Sequence, residues 1–166
     1  MSSSNFFQNK TALITLIASS LVVIISLGVR QTFGLFYLDF STDLGISITH
    51  FGFAIGLQLF LWGLFGPIMG IITDKYGGNV AIFLGFLFYL AGVYLFYAGF
   101  NTGFYFTLTI GILIGVGLGS TAISIPVAVV AKHFPLSNRT IATGIVTSAG
   151  SFGYFVSPLI VRYSLI

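Results

Sequence analysis

The chain has no cysteine and no glutamate, only three aspartates and two histidines, and six lysines and arginines together in 166 residues. The lack of cysteine excludes disulfides and thiol chemistry, without fixing a redox compartment. Two histidines and three aspartates are little material for a metal site or a general acid–base pair, so neither a metal nor a cofactor is expected. Charged residues of both signs reach 5%, against roughly a quarter in an ordinary soluble domain. The net charge of +3 rests on bases too few and too scattered for a nucleic-acid footprint, and no nucleic-acid partner is expected.

What the chain has in abundance is apolar surface. Apolar residues make up 57%, and the mean hydropathy is +1.08. A soluble fold of this length could not hide so much of it, so the lipid bilayer is the natural solvent. A helix needs about 20 mainly apolar residues to cross the hydrocarbon. Five stretches qualify, at 11–38, 48–73, 79–99, 104–131 and 140–162. They predict an all-α, polytopic integral membrane helix bundle over 11–166, preceded by a short tail over 1–10. The first stretch is too long for the apolar region of a signal peptide and lacks a small-x-small cleavage site, so it reads as a retained helix.

Loop charge gives an orientation. One side of the expected bundle carries Lys10, Lys75, Lys132 and Arg139; the other carries Asp39, Asp43, the uncharged turn Asn101-Thr102-Gly103, and Arg162. Four bases against one place the N-terminus in the cytoplasm, with the plasma (inner) membrane as the expected location.

The expected helices differ in character. The third, from Ala81 to Ala98, contains no hydroxyl, amide or charged side chain except the phenols of its tyrosines, and is crowded with Phe83, Phe86, Phe88, Tyr89, Tyr94, Phe96 and Tyr97. Such a helix can face lipid widely. The fourth carries Gly111, Gly115 and Gly119 at steps of four, on one face. Small residues at this spacing let backbones approach closely, so tight helix packing is the expectation. Gly52/Gly56 and Gly66/Gly70 repeat the spacing in the second span.

Between the second and third spans runs Gly70-Ile71-Ile72-Thr73-Asp74-Lys75-Tyr76-Gly77. This resembles the signature loop of the major facilitator superfamily: glycine, three residues, aspartate, a base, one residue, glycine. The resemblance stops at Gly78 and Asn79, where further bases are usual. It implies a conformational gate of Gly70, Asp74, Lys75 and Gly77, with Asp74 latching two halves of a transporter at the cytoplasmic side. A carboxylate there could meet the exposed N–H groups and positive dipole of another helix.

A second stretch, Lys132-His133-Phe134-Pro135 followed by Asn138-Arg139-Thr140-Ile141-Ala142-Thr143-Gly144, is similar to the corresponding loop of monocarboxylate and oxalate/formate-type members. It adds Arg139 to the expected gate. Gly150, Gly153 and Pro158 loosely resemble the Gly/Pro-rich fifth helix of some exchangers. One departure bears on coupling: many proton-coupled relatives have an arginine four residues before a Gly-x-Gly run. Here Gly111 holds that place before Gly115-Val116-Gly117.

Arg30 is the one charge inside a predicted span. Such a residue defaults to a functional hypothesis. Thr15, Ser19, Ser26, Arg30 and Tyr37 follow at steps of four, seven, four and seven, one face of a helix. A polar stripe suggests a watery path, and a guanidinium on it could clamp a carboxylate with two parallel hydrogen bonds. The competing reading is structural. Arg30 would lie nine residues before Asp39, roughly 13 Å by helical rise. It could snorkel outward, or pair with Asp39 or Asp43. Gln31, Tyr37 and Gln58 join Arg30 as candidate substrate contacts, although a lone glutamine in a span more often serves an interhelical bond. His50 and His133 fall at loop edges and are expected to be solvated.

The resemblance implies secondary active transport of a small solute by alternating access, with Arg30 tilting the expectation toward an organic anion such as a monocarboxylate. Members rock two six-helix halves around a site near the midplane, so the expected partners are the solute, the bilayer and a C-terminal half. The alternative is a non-transporting membrane module that self-associates or binds a partner. An intramembrane enzyme is excluded: Gly117-Leu118-Gly119-Ser120 faintly resembles a serine-protease turn, but no histidine lies mid-span to act as base.

Overall fold

The computed structural model describes residues 10–99 and 102–164. The expected N-terminal tail, apart from Lys10, and Phe100 and Asn101 at the third loop lie outside the described residues. The elements in order are α1 (Lys10–Thr32), α2 (Tyr37–Leu44), α3 (Ile48–Tyr76), α4 (Gly78–Tyr97), α5 (Gly103–Phe106), a π-helical segment (Thr107–Leu113), α6 (Ile114–Thr121), α7 (Ser124–His133) and α8 (Leu136–Ser164). The pieces from Gly103 to His133 form one span, so five helices are long and apolar enough to cross a membrane.

The first span departs from its expected length. The helix ends at Thr32 instead of running on to residue 38. Thr32 Oγ1 donates to Val29 O at 2.7 Å, and Leu35 N donates to Thr32 O at 2.9 Å. These tighter steps, with Gly34 between them, unwind the α-helix. The chain restarts as the short α2, which stops at Gly45 in a left-handed conformation (φ 64°). At 23 residues, α1 is about 34 Å long, enough for roughly 30 Å of hydrocarbon.

Local chemistry sets the other ends. Ser47 Oγ accepts from His50 N at 3.2 Å and caps α3. Only Gly77 separates α3 from α4, at φ 91°, where an L side chain would be strained. In the fourth span Thr107 Oγ1 donates to Gly103 O at 3.1 Å and Thr109 Oγ1 to Tyr105 O at 2.7 Å. Hydroxyls that bond back by four residues loosen the backbone ladder, and there the helix widens into its π turn. A second interruption falls at Ala122, whose ψ is −100°. Pro126, four residues on, has no N–H for its carbonyl.

The fourth span is the spine of the bundle. Its most apolar window is 67% buried, against 11–39% for the other four spans. All of α6 is buried, between α3 and α4. A Cβ at Gly111 would stand 3.1 Å from Ala54 O, one at Gly115 3.0 Å from Gln58 Cα, and one at Gly119 2.8 Å from Phe65 Cβ, all on α3. The opposite face meets α4: a Cβ at Gly117 would lie 2.7 Å from Gly85 O, and one at Gly85 would collide with Ser120 Oγ. The α4 residues that are buried are Ala81, Gly85, Tyr89 and Gly92, a single narrow face. Its Phe83, Phe86, Phe88, Tyr94 and Tyr97 are exposed. On the other flank, α8 packs on α1 through Gly153, where a Cβ would stand 2.6 Å from Ile24 O, and through Gly28, where one would strike Ser157 Oγ.

The glycines of α3 behave differently from those of the fourth span. Around a Cβ built at Gly52, Gly56, Gly66 or Gly70 nothing lies within 4 Å. Among the described residues the packing expected from their spacing is not made on that face; only the backbone of Gly66 is met, by Gly119, where a Cβ would stand 3.2 Å from Gly66 N.

At the end that carries Asp39 and Asp43, aromatic rings tie the elements together. Phe40 of α2 meets Phe96 at 5.3 Å and Phe106 at 5.5 Å, and Phe51 meets Phe106 at 5.8 Å. The first two are edge-on and the third is tilted, and with the tilted Phe40–Phe51 pair they hold α2 against α3, α4 and α5.

Candidate functional site

The early end of α1 changes the setting of Arg30. It lies in the last turn of α1, where unpaired carbonyls carry the negative end of the helix dipole and stabilise a cation. Side chains on a helix lean toward its N-terminus, which here directs the guanidinium inward along the span. It is held there by Trp62, with Cζ 5.7 Å from the ring centroid. Trp62 stands midway along α3. Snorkelling outward is thus not what this side chain does. No ion pair joins it to Asp39 or Asp43 among the described residues; those two carboxylates line a separate cavity of about 430 Å³ with Phe40, Phe96 and Phe106.

Arg30, Gln31, Gly34, Phe51, Ile55 and Gln58 surround a cavity of about 160 Å³. Gln58 is fully buried. Its Nε2 donates to Ile110 O in the π-helical segment at 2.8 Å, while its Oε1 has no donor. Arg30 Nε is also buried without an acceptor. Gln31 is exposed at the rim. Three of the four sequence-derived substrate contacts therefore meet at one cavity, and Tyr37 does not. The break at residues 33–36 takes Tyr37 off the stripe and onto α2, where its ring packs on Phe51 at 5.1 Å. The rest of the stripe is divided: Thr15 and Ser19 line another cavity, of about 490 Å³, while Ser26 is buried and its backbone O accepts from Tyr89 Oη at 2.8 Å.

Sequence reasoning missed Trp62. The signal was there: it is the single tryptophan, four residues after Gln58 and so on the same helix face. It also missed His50, expected to be solvated, which is half-buried and bonded. Its Nε2 lies 2.9 Å from Gly103 O and 3.0 Å from Thr107 Oγ1, fastening α3 to the start of the fourth span. His133 is exposed, with Nδ1 2.8 Å from Val129 O.

At the opposite end, Lys132 Nζ donates to Asp74 Oδ1 at 3.3 Å, joining α3 to α7. The carboxylate expected to latch one half to another is paired here within one bundle. Lys75 lies over the ring of Tyr76 at 5.1 Å. Gly70 is open, Gly77 makes the turn, and a Cβ at Gly78 would strike Val129 of α7. That close approach gives Gly78 a packing reason for standing where the signature usually has a base. Arg139 is exposed in the first turn of α8, and its side chain joins neither Asp74 nor any other carboxylate among the described residues. The Asp74–Lys132 pair is largely exposed, so it is worth about 0–1 kcal/mol. Asp74→Asn should therefore shift the thermal midpoint in detergent by no more than about 4 °C. It should still raise the labelling of a cysteine placed at Ser148, on the exposed face of α8, by up to roughly fivefold, if opening of this end breaks the bridge. The chain has no cysteine of its own, and unchanged labelling would rule the bridge out as a gate.

Five apolar spans with a partly buried guanidinium and a buried amide at one cavity define a multi-pass integral membrane protein with a polar interior site. The sequence model of the Major Facilitator Superfamily matches residues 19–165. The chain belongs to that superfamily, whose members are secondary transporters of small solutes and not enzymes. Among curated proteins and among solved structures nothing matches it.

Proposed function

We propose that the protein carries a small organic anion, such as a monocarboxylate, across the membrane by alternating access, and that Arg30 is its anion anchor. The observation that carries this reading is the buried, acceptor-free Arg30 Nε at the cavity shared with Gln31 and Gln58. A guanidinium in a low-dielectric setting without a counter-ion is costly, and an anionic solute supplies the missing charge through the planar fork. The basic residues Lys10, Lys75, Lys132 and Arg139 gather at one end, which supports a cytoplasmic placement of that end in the plasma (inner) membrane. Gly70, Asp74, Lys75, Gly77 and Arg139 then form the gate region.

A further feature supports a second bundle as partner. Ser148 and Ser151 of α8 and Gln31 of α1 are exposed, although a polar side chain facing hydrocarbon without a partner is costly. Together with the open glycines of α3 they fit a surface covered by the other half of a transporter or by the water between halves. The test is uptake by proteoliposomes holding the complete gene product, offered small carboxylates, organic cations and neutral sugars. Saturable uptake confined to carboxylates is the expected result; uptake of cations or sugars alone would remove the anion reading.

A further inference from the structure

The cavity beside Arg30 has a second recognition element with opposite hydrogen-bonding character. A glutamine amide can turn either end to its surroundings, but Gln58 has its orientation fixed. Its Nε2 is bonded to Ile110 O at 2.8 Å, and a carbonyl oxygen accepts only from the NH₂ end. Its Oε1 is left facing a fully buried environment with no donor. Buried acceptors in folded proteins are almost always satisfied, so one that is not asks for a partner from outside the chain. Arg30 and Gln58 both line the cavity, the one a donor and the other, through the amide end not bonded to Ile110, an acceptor.

We infer that Gln58 determines specificity: its Oε1 accepts a hydrogen bond from the solute, and so selects small carboxylates that carry a donor next to the carboxylate. This rests on the anion reading of Arg30. A hydroxyl is the donor that fits, because an ammonium needs a carboxylate close by. Among the described residues none lines this cavity; Asp39 and Asp43 line another. Trp62, at 5.7 Å from the guanidinium, reports on occupancy.

The experiment is a titration of the complete protein in lipid nanodiscs, read by fluorescence with Trp62→Phe as the blank. The probes are 2-hydroxypropanoate, propanoate, and 2-methoxypropanoate, whose ether oxygen can accept but not donate. The expected result is tighter binding of the hydroxy acid than of either analogue by roughly tenfold to a hundredfold, the range of one buried hydrogen bond made or missed. In Gln58→Met, which keeps length and loses the acceptor, the three should bind alike. Should that variant fail to fold for want of its bond to Ile110, the three-probe comparison on the unaltered protein decides by itself. Equal binding of the three probes to the unaltered protein would overturn the role of Gln58 while leaving the anion reading in place. A preference that survives in Gln58→Met would do the same. Binding of none of them would overturn both.

Discussion

Arg30→Ala should abolish anion uptake while leaving the protein folded and in the membrane. Truncating one partner of a buried, hydrogen-bonded charge pair costs about 2–5 kcal/mol, so apparent affinity should fall by roughly thirtyfold to several thousandfold. Arg30→Lys keeps the charge but not the planar fork, and its loss should be smaller. Folding should not suffer much, because Arg30 makes no ion pair among the described residues and its contact with Trp62 is worth about 0.5–2 kcal/mol. The measurement is initial uptake rate against solute concentration in proteoliposomes, with reconstituted amount checked for each variant. Uptake with unchanged kinetics in Arg30→Ala would show that the anion is held elsewhere.

A large effect on stability is expected at a residue with no polar chemistry. Gly117→Ala places a methyl 2.7 Å from Gly85 O and 2.9 Å from Tyr89 N. Both are backbone atoms and cannot step aside as a flexible side chain would. Overpacking of this kind costs about 1–3 kcal/mol, since α4 must move off α6. The thermal midpoint in detergent should drop by several degrees. Gly56→Ala is the matching control. Nothing lies within 4 Å of its Cβ position, and alanine is favoured over glycine within a helix by about 1 kcal/mol. Its midpoint should hold or rise. Equal losses in both variants would mean that helix contacts do not distinguish these glycines.

Much of the architecture was legible in the sequence because lipid imposes a simple rule: a span must be long, apolar and helical. Five stretches met the rule, and five helices result. Their interruptions were harder to see. The break after Thr32 rests on Gly34 and a threonine hydroxyl, weak signals inside an unbroken apolar run. Reading through it carried Tyr37 onto a stripe that had already ended. The spacing of glycines was equally legible in α3 and in the fourth span, but spacing does not say which helix has a neighbour on that side. Gly115 has one and Gly56 does not. At the site, Arg30 declared itself as a charge in an apolar run. Gln58 was ambiguous, because a lone amide reads alike whether its bond is to a helix or to a solute; the structure shows one end committed and the other not. The Asp74–Lys132 bridge joins residues 58 positions apart, a pairing that no local pattern encodes.

The burial of α6 between α3 and α4 also bears on how the protein is made. Spans emerge from the ribosome in order, N-terminal first, so α3 and α4 enter the bilayer before the helix that packs on both of them exists. Until it arrives, the amide of Gln58 lacks the carbonyl of Ile110, and hydrocarbon offers no replacement. The glycine backbones of Gly85 and Gly92 have nothing to rest against. The α3–α4 hairpin is therefore an unfinished intermediate that must stay loose enough to admit a third member. A substitution that glued α3 to α4 too well would harm biogenesis even if the finished bundle could accommodate it.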